Sequence, residues 1–120
     1  HADYLAVNRL CDFMIDTLHW SGGNTTLDAL ASGLPVVTWP GKFMRGRQSM
    51  AMLRILGLDE LIAESADQYV EIARRLGRDA DWRQSISNLI ADRRQRLFDD
   101  PAPVEALAAL LRARVAGQAA

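Results

Sequence analysis

The chain has 120 residues, 49% hydrophobic and 24% charged, a balance that excludes an intrinsically disordered segment and fits one globular core. Its 14 basic and 15 acidic side chains give a formal net charge of −1, so binding to nucleic acid through a general basic field is not expected. No apolar run approaches the roughly 20 residues that span a bilayer, and a cytoplasmic protein without a membrane partner is expected.

The chain begins at His1 and reads as a piece of something longer. Ala2 to Leu10, with Leu5, Ala6 and Leu10 apolar, predicts a helix feeding a buried strand, Phe13-Met14-Ile15-Asp16. Between them Cys11, the single cysteine, is expected to be a small buried hydrophobe; being alone it excludes an internal disulfide and a cysteine-based zinc site. A loop from Thr17 to Asn24 follows, then a short helix from Thr25 to Ser32 ended by Gly33, where a left-handed residue is favoured. Pro35 to Trp39 is the next strand. Pro40-Gly41 turns the chain into a basic loop, Lys42 to Arg47, and a helix runs from Gln48 to Leu56, closed by Gly57.

Leu61-Ile62-Ala63 is a third, short strand candidate. Ser65 and Gln68 fit a capping box, and Ala66, Tyr69, Val70, Ala73 and Leu76 line one face of the helix that follows. After Gly77 and Asp79, a further helix carries the stripe Trp82, Ile86, Leu89, Ile90 and Leu97. Asp100-Pro101 starts a last helix with the body Ala106 to Leu111, and Ala116 to Ala120 are expected to fray. Strands alternating with helices in the first half predict a parallel α/β unit, and the second half is all helical. One domain is expected: an α/β part over residues 1–63 and a helical part over 64–120.

The stretch that carries chemistry is Ser21-Gly22-Gly23-Asn24-Thr25-Thr26-Leu27-Asp28, between a strand and a helix. Gly22 and Gly23 let backbone approach a ligand without a Cβ between them. Thr25 and Thr26 fall in the first helical turn, where unpaired N–H groups and the helix dipole attract an anion. Asp28, one turn on, is an acceptor suited to vicinal ribose hydroxyls. That is the layout of a nucleotide pocket at the carboxyl end of a strand. The same residues fit a tight loop, a helix cap on Asn24 or Thr25, and a dipole-compensating surface charge on Asp28. Neither a Walker A ending nor a G-x-G-x-x-G fingerprint is present.

The ordered series Asp12 to Thr17, Gly22 to Leu30 and Ser32 to Gly41, continuing through Arg47, Leu53 to Leu58 and Glu60 to Ala63, resembles the C-terminal catalytic half of the O-GlcNAc transferase and SPINDLY-like family. The resemblance implies a Rossmann-like parallel sheet of about three strands with a helical C-terminal segment, the later half of a GT-B architecture. It implies that residues matching Thr25 and Thr26 contact the diphosphate of a UDP-GlcNAc-type donor and that Asp28 contacts the ribose. Gly22, Gly23 and Asn24 complete the donor-binding loop. Asn24 stands where the animal enzymes have a His before the threonine pair, and Gly23 reads as an insertion.

The function implied by the resemblance is that of the donor-binding segment of a glycosyltransferase acting on protein hydroxyls, joined to an upstream GT-B domain and tetratricopeptide repeats. The isolated segment is expected to be inactive. No catalytic residue and no cofactor are assigned; the resemblance implies no metal, and the chain is expected to supply no Asp-x-Asp pair to hold one. The alternatives are a non-catalytic partner-binding module and a GT-B-type sugar-nucleotide epimerase. Of the other marked residues, Lys42, Arg45 and Arg47 read as a solvated loop with Arg47 paired to an acid, and His19 as incidental. Trp20 either stacks on a ligand or plugs the loop, and Arg93, Arg94 and Arg96 read as a solvated charged face.

Overall fold

In the computed structural model, which describes residues 2–118, helix α1 (Ala2–Leu10) leads into strand β1 (Met14–Ile15), helix α2 (Asn24–Ala31) and strand β2 (Val36–Val37). Beyond β2 come four helices: α3 (Gln48–Leu56), α4 (Ala66–Arg78), α5 (Ala80–Arg93) and α6 (Ala102–Gln118). β1 and β2 pair in parallel, Met14 opposite Val36 and Ile15 opposite Val37, with α2 as the crossover that a parallel pair requires. The expected third strand shrinks to one parallel bridge between Thr38 and Ile62. Its first residue is lost to a 3-10 turn, Asp59–Leu61, and Ser65 already caps the next helix, so little extended chain remains between them.

Glycine closes α2 and α3. Gly33 and Gly57 hold φ of 80° and 66°, which L side chains adopt at a cost. In each case the next residue turns its N–H back, Leu34 N to Ala29 O and Leu58 N to Leu53 O, both at 2.9 Å. That pattern satisfies carbonyls the helix end would otherwise orphan. Ser65 Oγ accepts from Gln68 N at 3.2 Å, while Gln68 Oε1 reaches back to Glu64 N at 2.7 Å.

One apolar cluster runs from Ala29 and Leu30 through Val36, Val37, Leu53 and Leu56 to Ile72, Leu76, Ile86 and Ile90. The stripe of α5 is as expected from Trp82 to Ile90, but the helix ends at Arg93 and Leu97 packs from the 3-10 turn Arg94–Leu97, whereas the stripe of α4 is turned. Ile72 is buried with Leu76, and Ala66 and Val70 are exposed; the helical period from Leu76 back to Tyr69 passes through Ile72 and Ala73 instead. Gly77 does not punctuate but lies inside α4. In α1 Ala6 and Leu10 are exposed and Asn8 is buried instead. Cys11 is also exposed, because it lies in the bend between α1 and β1 and not beside the strand's covered face.

Arg93 and Arg94 are not a solvated face. Arg93 Nη1 donates to Leu56 O at 2.9 Å, and Arg94 Nη1 donates to Ala31 O, so two guanidinium groups satisfy the carbonyl ends of α3 and α2. Helix α6 lies apart from this core: Val104, Leu107, Leu110, Leu111 and Val115 are each more than half exposed. It runs on past Ala116 to Gln118, and Ala119 and Ala120, also expected to fray, lie outside the described residues. Among the described residues no helix is long and apolar enough to cross a membrane.

Candidate functional site

Two parallel strands place the loops that follow them at one edge of the sheet, and the buried polar residues of the described chain gather there, Asn8 of α1 excepted. The register that sets Ile15 beside Val37 brings Asp16 next to Thr38. Asp16 is 5% exposed, and its Oδ2 accepts from Thr38 Oγ1 at 2.7 Å and from Ser21 Oγ at 2.8 Å. Its Oδ1 accepts from Gly22 N at 2.8 Å. Ser49, in the first turn of α3, donates its N–H to Ser21 Oγ at 2.9 Å and has its hydroxyl 2.8 Å from Thr26 Oγ1. Asp16, Ser21, Thr26, Thr38 and Ser49 are all buried, and each finds a partner in the others, as buried polar groups must.

Tyr69 ties α4 to the same point by donating its hydroxyl to the Asp16 carbonyl at 2.6 Å. Burial, and secondarily the negative Asp16, raises its pKa above the usual tyrosine value. A folded pKa above the unfolded one means the contribution is complete below about pH 10 and is lost as pH rises through the folded value. Tyr69→Phe is therefore expected to lose stability less steeply above pH 10 than the parent chain, measured by urea unfolding at pH 8 and at pH 10.5.

The predicted ligand loop sits directly on this network. Gly22 and Gly23 lead into α2, whose N-cap, Gly23, supplies no side-chain hydrogen bond, and the first intrahelical bond is Leu27 N to Gly23 O at 3.1 Å. The N–H groups of Asn24, Thr25 and Thr26 thus form the helix's unpaired positive end. With Gly23 as the N-cap, neither Asn24 nor Thr25 caps the helix as its sequence also allowed. Asn24 and Thr25 are exposed and Asp28 half-buried. Thr26 is fully buried and its hydroxyl is engaged by Ser49, so the threonine pair is split: Thr25 faces out and Thr26 faces in.

Between the loops after β1 and β2 lie two open grooves of about 390 and 370 Å³ that share Leu18, His19, Gly41 and Lys42. Residues 22–28 do not line either. Arg47 borders the larger groove and donates to Gly41 O at 3.1 Å in place of the expected acidic partner. Trp20 is 69% exposed, so it does not plug the loop; Arg45 stands 6.0 Å from its ring and 4.8 Å from that of Phe43. One Asp-x-Asp spacing does occur, Asp79-Ala80-Asp81. It lies between α4 and α5, where Asp79 Oδ1 accepts from Trp82 N at 2.9 Å as the cap of α5. Among the described residues no group of acidic, His and Cys side chains is placed to hold a metal ion.

The sequence pattern of glycosyl transferase family 41 matches residues 2–102. The chain is 33% identical over 106 residues to the UDP-N-acetylglucosamine-peptide N-acetylglucosaminyltransferase of Caenorhabditis elegans, covering 81% of this chain and 9% of that one. It is 32% identical over 99 residues to the probable enzyme of that name, SPINDLY, of Petunia hybrida, covering 82% and 10%. In structure it superposes on a mutant O-GlcNAc transferase of Thermobaculum terrenum with a TM-score of 0.82 and 35% identity, over 93% of this chain and 22% of that one. The chain thus spans about a tenth of the length of these curated relatives.

Proposed function

Because the chain belongs to glycosyl transferase family 41, we propose that residues 22–28 hold the nucleoside diphosphate of a UDP-GlcNAc-type donor, for transfer of the sugar to a protein hydroxyl. The observation that carries this reading is the exposed, uncapped start of α2 at the carboxyl edge of the parallel strands. Anions bind at such helix starts. The backbone N–H groups of Asn24, Thr25 and Thr26, with the Asn24 amide and Thr25 hydroxyl, face the diphosphate, and Asp28 one turn on accepts from ribose hydroxyls. Gly22 and Gly23 keep Cβ atoms out of the approach.

As the glycosidic bond breaks, negative charge grows on the leaving diphosphate. Donors already fixed in place stabilise that charge with little reorganisation. Asp28, the one carboxylate of residues 22–28, is given to the ribose in this reading, so the catalytic base is assigned to the rest of a two-domain GT-B enzyme. The cleft, the upstream domain, tetratricopeptide repeats and the protein acceptor belong to that same reading.

Calorimetric titration of the full chain with UDP and GDP tests it. We expect saturable binding that falls about tenfold or more in Thr25→Val and in Asp28→Ala, the effect of losing a hydrogen bond to a charged group. Absence of binding to either nucleotide, or unaltered affinity in both variants, overturns the reading.

A further inference from the structure

Asp16 is a buried carboxylate to which the donor reading gives no part, yet it directs the hydrogens of everything around it. Its oxygens receive the Gly22 N–H and the hydroxyls of Ser21 and Thr38, because a negative carboxylate only accepts. The Ser21 hydrogen is thereby spent on Asp16. Ser21 Oγ can then only accept from its other neighbours, Ser49 N and Ser49 Oγ, each at 2.9 Å. The Ser49 hydroxyl has its single hydrogen to give either to Ser21 Oγ at 2.9 Å or to the longer contact with Gly22 O at 3.4 Å; spent on either, it leaves Thr26 to donate its own to Ser49 across 2.8 Å. One charge orders the hydrogens of a run of hydroxyls and reaches the start of α2 from inside.

We infer that Asp16 is a positioning residue of the donor site. It clamps the Gly22 N–H and, through Ser21 and Ser49, turns the Thr26 hydroxyl away from the ligand, so that Thr25, Asn24 and the backbone amides make the contacts. The inference rests on the donor reading above. Glycine at 22 is part of the clamp, since a Cβ there would lie 2.5 Å from Thr26 Oγ1 and 2.6 Å from Thr25 Oγ1.

Asp16→Asn keeps the shape of the side chain and places an NH2 group where an oxygen accepted. Either the Gly22 N–H meets a donor, or the Ser21 and Thr38 hydroxyls must accept and the run of hydrogens reverses toward Thr26. Titration with UDP is expected to show about tenfold weaker binding in Asp16→Asn, the scale of one charge-assisted hydrogen bond, with a cooperative unfolding transition retained. Combined with Thr25→Val, the loss is expected to be clearly smaller than the product of the two single losses, because both act through one loop. A purely structural role predicts multiplying losses.

Unchanged affinity in Asp16→Asn, or losses that multiply fully, overturn the inference. Should Asp16→Asn fail to fold, Ser21→Ala breaks the same run one step further on: a drop of about threefold or more in UDP affinity supports the inference and an unchanged affinity overturns it. No UDP binding by the parent chain removes the donor reading and this inference together. Binding that Thr25→Val weakens, but Asp16→Asn and Ser21→Ala leave alone, removes only the inference.

Discussion

Gly22→Ala is expected to weaken UDP binding by more than tenfold and to lower stability by roughly 1–3 kcal/mol, the usual cost of forcing a carbon into a filled site. The added Cβ would stand 2.5 Å from Thr26 Oγ1 and 2.6 Å from Thr25 Oγ1. Thr26 cannot rotate away freely, since it is fully buried and bound to Ser49. Relief must come from moving the loop, which releases Gly22 N from Asp16 and shifts the amides at the start of α2. Strain from backbone conformation plays no part, because Gly22 is not among the glycines with positive φ. Urea unfolding and UDP titration of the same variant check the two halves separately, and near-parental values in both refute the packing argument.

Leu53→Ala is expected to cost about 2–5 kcal/mol, as deletions of fully buried leucine side chains do. Leu53 is 0% exposed and lies in the cluster that joins α2, β2, α4 and α5. The matching substitution on α6, Leu110→Ala, is expected to change stability by no more than about 0.5 kcal/mol, since Leu110 is 55% exposed. The urea midpoints of the two variants measure the contrast, provided the m-values stay equal. Equal losses would mean that α6 packs against the body in solution.

How far the sequence could be read depended on whether the signal was local. Helices α3 and α5 announce themselves by Gly57 and by the stripe Ile86, Leu89 and Ile90, and their positions follow the pattern closely. The third strand was lost because three apolar residues, Leu61-Ile62-Ala63, do not say whether the chain before them is extended or wound into a 3-10 turn. Arg93 and Arg94 look solvated in a run of charges; only the tertiary arrangement brings them to the ends of α3 and α2. In the site, the loop from Gly22 to Asp28 is legible from its glycines and hydroxyls. The inward turn of Thr26 is not, because its cause is Ser49, far along the chain on another helix. Asp16 closing an apolar strand is the one written hint of the buried network: a carboxylate at that position must be met by donors.

The short parallel ladder has a kinetic meaning as well as a geometric one. Asp16 meets Thr38 across 22 residues, Ser21 meets Ser49 across 28, and Tyr69 reaches Asp16 across 53, so the loop is held by contacts that close late and against the largest entropy. A loop of this kind does not preform as a local turn while the remainder is still a coil. Its appearance coincides with the cooperative folding of the whole body, so that, on the proposed reading, nucleotide affinity would gauge how much of the population has completed that reaction.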